Sequence, residues 1–147
     1  MRRGTGDRSQ GSSPATPHEW IDTDDALRSF VDFAVTHDEY FIDTEFHREK
    51  TYFPRLALVQ IGVGERIALI DPLVVDVSLL RPLFESDSLA VFHAAQQDLD
   101  VLTQSMGCIP SRIFDTQLAA GFIGYSSPSL VNLAASLLRV TVPKGDR

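Results

Sequence analysis

The period of the apolar positions changes several times along the chain, and each change marks an element. Leu27, Phe30, Val31 and Ala34 recur at helical spacing. Thr23 or Asp22 can cap that helix, and Asp24 and Asp25 place negative charge in its first turn. The helix should end near His37. Residues 39–46 then read as a strand and the polar stretch His47–Tyr52 as a turn. Leu56–Val63, apolar except for Gln60 and glycine, reads as a second strand buried on both faces. Gly64-Glu65 makes a tight link to a third strand, Arg66–Ile70, which Asp71-Pro72 stops. Three strands on short links predict an antiparallel meander.

Beyond it the pattern alternates. Ser78–Glu85 predicts a short helix with Pro82 in its first turn, and Leu89–Phe92 a fourth strand. Ala94–Met106 predicts a helix that Gly107 ends. Ile113-Phe114 is a brief fifth strand, followed by a helix to about Phe122 capped by Asp115 or Thr116. Ser129 caps a last helix whose stripe is Leu130, Leu133, Ala134, Leu137 and Leu138. The order predicts an α/β fold, a mixed sheet with helices on both faces. Residues 1–17, rich in Gly, Ser, Arg, Thr and Pro, read as a disordered tail, and His18 begins ordered structure.

Composition narrows the setting. The chain has 147 residues, 44% of them hydrophobic, which suits one domain with a real core. No apolar run is long enough for a membrane span, and no apolar segment follows Arg2 and Arg3 to make a secretory signal. With Cys108 its only cysteine, the chain is expected in the cytoplasm. The net charge of −7 argues against a generic nucleic-acid binder held by phosphate contacts. Yet Arg48, Lys50 and Arg55 crowd in just after Glu45, a basic strip beside an acidic centre.

That centre is Tyr40-Phe41-Ile42-Asp43-Thr44-Glu45-Phe46. Alternation along a strand puts Asp43 and Glu45 on one face, with Cα atoms roughly 6.6 Å apart at ~3.3 Å per residue. Phe41, Ile42 and Phe46 around them predict that the pair is buried at the end of the sheet, where two bare carboxylates demand a cation or donors. Asp98, at the start of the helix after the fourth strand, is the third acid that the fold should bring to them. An oxygen-only set suits Mg²⁺ or Mn²⁺ rather than zinc. Two such ions about 3.5–4 Å apart can clamp a phosphodiester for in-line attack. His93 reads either as a hydrogen-bonded core histidine or as a substrate contact, and Asp115 either as a helix cap or as support behind the acids. Gly124-Tyr125-Ser126-Ser127-Pro128 lacks the second glycine of a nucleophile elbow, no phosphate-cradling Gly-x-x-x-x-Gly-Lys occurs, and Cys108 has no adjacent base.

Ile42-Asp43-Thr44-Glu45-Phe46 resembles the first motif of the ribonuclease D-type 3′→5′ exonucleases, members of the DEDD group on the ribonuclease H-like fold. The similarity continues through residues 50–61 and Ile70-Asp71-Pro72-Leu73. His93-Ala94-Ala95-Gln96-Gln97-Asp98-Leu99 is similar to the second motif, and Phe114-Asp115-Thr116-Gln117 to the following strand and helix start. The resemblance spans roughly residues 20–147. It implies that Asp43, Glu45 and Asp98 are three of four metal-binding acids. It implies substrate contacts from Thr44, Phe46, Tyr52, Arg55 and His93, with Asp115 and Gln60 supporting them. It also implies release of 5′-mononucleotides from RNA 3′ ends, typically tRNA precursors, with two divalent ions. No position matches the third motif, a tyrosine four residues before the fourth acid, and Tyr125 falls too early. Residues 18–147 are therefore expected to be the N-terminal part of an exonuclease domain, cutting more slowly by about 10²–10⁴ for want of the water-orienting group. The alternative is a non-catalytic nucleic-acid-binding scaffold with the same fold.

Overall fold

In the computed structural model the described residues are 17–48 and 52–143. The expected tail, but for Pro17, lies outside them, as do Lys50, Thr51 and the last four residues.

Six strands form one sheet in the order β1-β4-β3-β2-β5-β6. β2 (Glu39–His47), β3 (Arg55–Val63) and β4 (Arg66–Ile70) are the antiparallel meander that the short links predicted. β5 (Leu89–Phe92) runs parallel to β2, and β6 (Ile113–Asp115) parallel to β5. β1 (His18–Ile21) adds a parallel edge strand beside β4. The sequence predicts only that ordered structure begins at His18. Four residues carry too little periodicity to announce a strand whose partner lies about fifty residues on.

α1 (Asp24–Ala34) starts at Thr23, whose hydroxyl accepts from the Ala26 N–H at 3.2 Å. The single helix expected over 78–85 is a 3-10 turn (Val77–Leu80) leading into α2 (Arg81–Phe84). Pro82 accounts for the break, since it sits in the first turn of α2, where its missing N–H is harmless. α3 (Gln96–Met106) ends on Gly107, at φ 63°, the left-handed stop that glycine takes cheaply. α4 (Thr116–Phe122) and α5 (Leu130–Leu138) are capped by Asp115 and Ser129.

The register sorts the strands into two faces. Tyr40, Ile42 and Thr44 of β2 share a face with Val63, Ile61 and Val59 of β3 and with Ile70 and Ala68 of β4. That face is buried under Leu27, Phe30 and Val31 of α1, Leu83 and Phe84 of α2, and Val101 and Leu102 of α3. The second face carries Phe41, Asp43, Gln60, Gly62, Ile67 and Val91. It forms a trough of about 580 Å³ that α4 and α5 reach at Thr116 and Leu130. Helical cover is thus far heavier on one face than the sequence reading supposed. β3 correspondingly buries Leu56, Val59, Ile61 and Val63, while Leu58, Gln60 and Gly62 are half-covered.

Candidate active site

The open face corrects the expected burial of the acid pair. Asp43 and Glu45 do share a face, but it is the exposed one, with Phe41 beside them 53% open to solvent. Strict alternation explains this: Tyr40, Ile42 and Thr44 take the core side, so every odd residue of the strand faces out. The apolar neighbour Phe41 suggested burial without belonging to the core face, whereas Phe46 is half-buried and packs against the core.

Asp98 is set differently. It lies in the first turn of α3 and is 7% exposed. Pairing between β2 and β5 ends at Phe41 and Val91, so the β2 edge beyond has no strand partner on that side. There the Asp98 Oδ1 accepts from the Thr44 backbone N–H at 3.0 Å and from the Thr44 hydroxyl at 2.6 Å. Thr44 is buried, and its side chain is spent on Asp98. The Thr44 hydroxyl and backbone N–H thus hold the Asp98 carboxylate in place.

The negative charges feel one another. The Asp43 carboxyl is raised above the usual carboxylate range, first by crowding of protein around it, then by the charge of Asp98, then by Glu45. The Thr44 backbone N–H pulls it the other way. Gln60 is the direct cross-strand partner of Asp43 and stands on the same face. Even so, among the described residues no three His, Cys, Asp or Glu side chains close into a ready metal cage. Asp98 Oδ1 is engaged by Thr44, while Asp43 and Glu45 stand on the open face of β2.

A second set of contacts fixes the turn that delivers Asp98. Ala94 sits between β5 and α3 at φ 60°, a conformation unusual for a residue with a Cβ. The Asp115 carboxylate holds it there, taking the Ala94 N–H at 3.0 Å and the Ala95 N–H at 2.8 Å. The same group caps α4 by accepting from Gln117 N at 2.8 Å and Leu118 N at 3.4 Å. Desolvation raises the Asp115 carboxyl, but these four N–H groups outweigh it and hold the acid below its ordinary value. Asp115 is therefore the cap of α4, as one sequence reading has it, and also a strut under the β5–α3 turn.

His93 is committed within the chain. Its Nδ1 lies 2.8 Å from the Thr116 hydroxyl and its Nε2 3.0 Å from the Pro128 carbonyl, which Gln117 also reaches. Both ring nitrogens thus have protein partners, the hydrogen-bonded reading, and only the rest of the ring is left to line the trough. Phe46 and Tyr52 line a separate hollow and Arg55 a third, so the expected substrate contacts are spread over three depressions. The sequence reading missed Ala94, whose backbone strain has no sequence signature.

Fold and acid placement together define a ribonuclease H-like mixed sheet, and the comparisons narrow it. The 3′-5′ exonuclease family profile matches residues 18–147, so the chain belongs to that family. It is 39% identical over 130 residues to Ribonuclease D of Desulfotalea psychrophila and 40% identical over 109 residues to that of Escherichia coli. These matches cover 86% and 73% of this chain but only 35% and 29% of the relatives, about a third of their length. The crystal structure of E. coli RNase D, an exoribonuclease involved in structured RNA processing, superposes with a TM-score of 0.82 at 35% identity. That match covers 86% of this chain and 35% of the other. Brucella melitensis NrnC with bound Mg²⁺ superposes at 0.64 and 25% identity, over 77% of this chain and 59% of the other. No described helix is long and apolar enough to cross a membrane.

Proposed function

We propose that this chain supplies the metal-binding acids of a 3′→5′ exoribonuclease that releases 5′-mononucleotides from RNA 3′ ends, tRNA precursors among them. Residues 18–147 form the N-terminal part of its exonuclease domain, and the protein works in the cytoplasm. Asp43, Glu45 and Asp98 would hold Mg²⁺ or Mn²⁺. The observation that carries this reading is geometric: Asp43 and Glu45 share one face of β2, and Asp98 of α3 is hydrogen-bonded to Thr44 between them. Three acids from two elements repel one another, and hard divalent cations relieve that repulsion with oxygen ligands alone. When bound, such ions lower the pKa of a water and stabilise the leaving oxygen.

The chain's own residues do the rest. Thr44 aims Asp98 by occupying its Oδ1 twice. Asp115 and His93 hold the β5–α3 turn against α4 and the Pro128 loop, which keeps Asp98 at its place on the β2 edge. Gln60 stands beside Asp43, available to a bound water or phosphate oxygen. Phe46, Tyr52 and Arg55 face the nucleotides behind the cut.

One observation favours the second reading, a nucleic-acid-binding scaffold: the described acids do not close into a cage by themselves. Titration with Mn²⁺ separates the two. The exonuclease reading expects saturable binding that Asp43→Ala abolishes, and a 3′-labelled RNA shortened one nucleotide at a time. Equal Mn²⁺ uptake by the wild-type chain and Asp43→Ala would overturn it.

A further inference from the structure

α4 and α5 are anchored at few points. Of their residues only Ala120 and Leu133 are buried. The Pro128 carbonyl in the loop between them accepts from His93 and Gln117. Leu118, Phe122, Ile123, Leu137 and Leu138 are each more than half exposed, Phe122 by 93%. Single exposed apolar side chains are ordinary, but five on two successive helices mark an interaction surface. Together they expose an area on the order of the roughly 800 Å² that each partner gives to a standard interface.

Charge narrows what can cover this surface. Residues 116–138 contain no Asp, Glu, Lys, Arg or His, and the 13 Lys and Arg and 20 Asp and Glu of the chain all lie elsewhere. A charged partner face would lose its hydration here and meet no counter-charge. The matching face must itself be uncharged and apolar, and this chain carries one. Elsewhere the excess of acids sets one copy against another, so two copies meet at least electrostatic cost through α4 and α5.

The surface of α4 is also shaped to pair with itself. Gly121 weakens a helix relative to alanine. Apart from its chain neighbours and its own helix, nothing among the described residues lies within 4 Å of where a Cβ at Gly121 would stand. α4 therefore carries a notch directly beside an exposed knob, the Phe122 ring. A two-fold axis beside them lets the knob of each copy enter the notch of the other. An aromatic side chain seated in a close-fitting recess is the common anchor of such contacts.

We infer that two copies of this chain pair through α4 and α5, with Phe122 of each copy seated at Gly121 of the other. The pairing draws nothing from the metal reading, so Asp43→Ala should leave it unchanged.

Analytical ultracentrifugation of the full chain, from submicromolar to high micromolar concentration, tests this. The expected result is a monomer–dimer equilibrium that stops at two copies. Salt, which screens like charges, should leave the dimer as tight or tighter. Phe122→Asp should raise the dissociation constant by about tenfold or more, because it brings two carboxylates to the axis in place of two anchors. Circular dichroism should show its helices intact, since the ring it removes is 93% exposed. Gly121→Leu separates a shaped contact from mere stickiness. It adds apolar surface and favours the helix, yet it fills the notch, so it too should raise the dissociation constant by about tenfold. A monomer at every concentration overturns the proposal, whatever else then covers the face. So does association that continues past two copies, a dimer that salt dissolves, or pairing that either variant leaves intact or tightens. Absence of pairing together with Mn²⁺ binding that Asp43→Ala abolishes sinks the dimer and leaves the exonuclease reading standing.

Discussion

The two faces of the sheet are cut from the same strands yet obey different rules. On the covered face, Tyr40, Ile42, Val59 and Ile61 interlock with three helices, and nearly every side chain is apolar and fully enclosed. On the other face the same strands present Phe41, Asp43, Gln60 and Gly62 to a trough that α4 and α5 border at two points. The difference shows where a small fold keeps its stability and where it is free to place charge. Asp43 and Glu45 stand off the core, on the open face. Asp98, which does not, needs two donors from Thr44.

The contrast should break first at Phe30. Its ring is fully buried beneath the covered face, and the Arg66 guanidinium lies 5.2 Å from the ring centre. Arg66 also pairs with Glu19 at 2.6 Å, which ties β4 to β1 and α1. Phe30→Ala should cost about 3–5 kcal/mol in urea unfolding, from lost transfer energy and the cavity left behind. A loss under about 1 kcal/mol would mean that the covered face is not the seat of stability.

Asp115→Asn comes next, because it strikes the joint between the faces. The amide nitrogen that replaces one carboxylate oxygen cannot accept from Ala94 or Ala95, so a donor faces a donor at a residue already at positive φ. We expect a loss of about 1–3 kcal/mol together with weaker divalent-ion binding, since Asp98 follows the turn. The pH dependence has a definite sign. The folded-state acid is below its ordinary value, so its contribution is present above that value and is lost as pH falls through the folded one. Asp115→Asn should therefore blunt acid unfolding. Unchanged ion binding with full loss of stability would reduce Asp115 to a cap.

The sequence made much of this legible, and the exceptions share a cause. The meander, the fourth strand, the Gly107 stop and the Thr23 and Ser129 caps were all readable because period, turn chemistry and capping are local. So was the pairing of Asp43 with Glu45. Which face that pair occupies was not, because Phe41 looks like a core residue until β3 and α3 decide which side is covered. β1 depends on a partner about fifty residues away. The Asp115 strut joins groups 20 and 21 residues apart through a strained alanine that no propensity marks.

A smaller effect sharpens the comparison from the other side. Phe41 is as large an aromatic as Phe30 but is half exposed, in the trough beside Asp43. Phe41→Ala should cost about 1 kcal/mol or less, the range of substitutions away from the core. A loss matching that of Phe30→Ala would show that the trough is packed in solution and that the two faces do not differ.

The smallest stability effect is expected at Asp43, the first of the proposed metal ligands. Asp43 lies above its ordinary value in the folded chain, so folding favours its protonated form. Its contribution is present below the ordinary carboxylate value and is lost as pH rises through the folded one. Near neutrality the ionised group works against the fold, and Asp43→Asn should leave stability unchanged or raise it by about 0.5 kcal/mol or less. Mg²⁺ should reverse the ranking. Under the proposed function, a cation that neutralises Asp43 and its neighbours would stabilise the wild-type chain by binding only the folded form, and the variant would lack that ligand. Melting curves with and without Mg²⁺ at neutral pH read both signs at once. If Asp43→Asn destabilises the metal-free chain, the repulsion among the three acids is not what the site is built on.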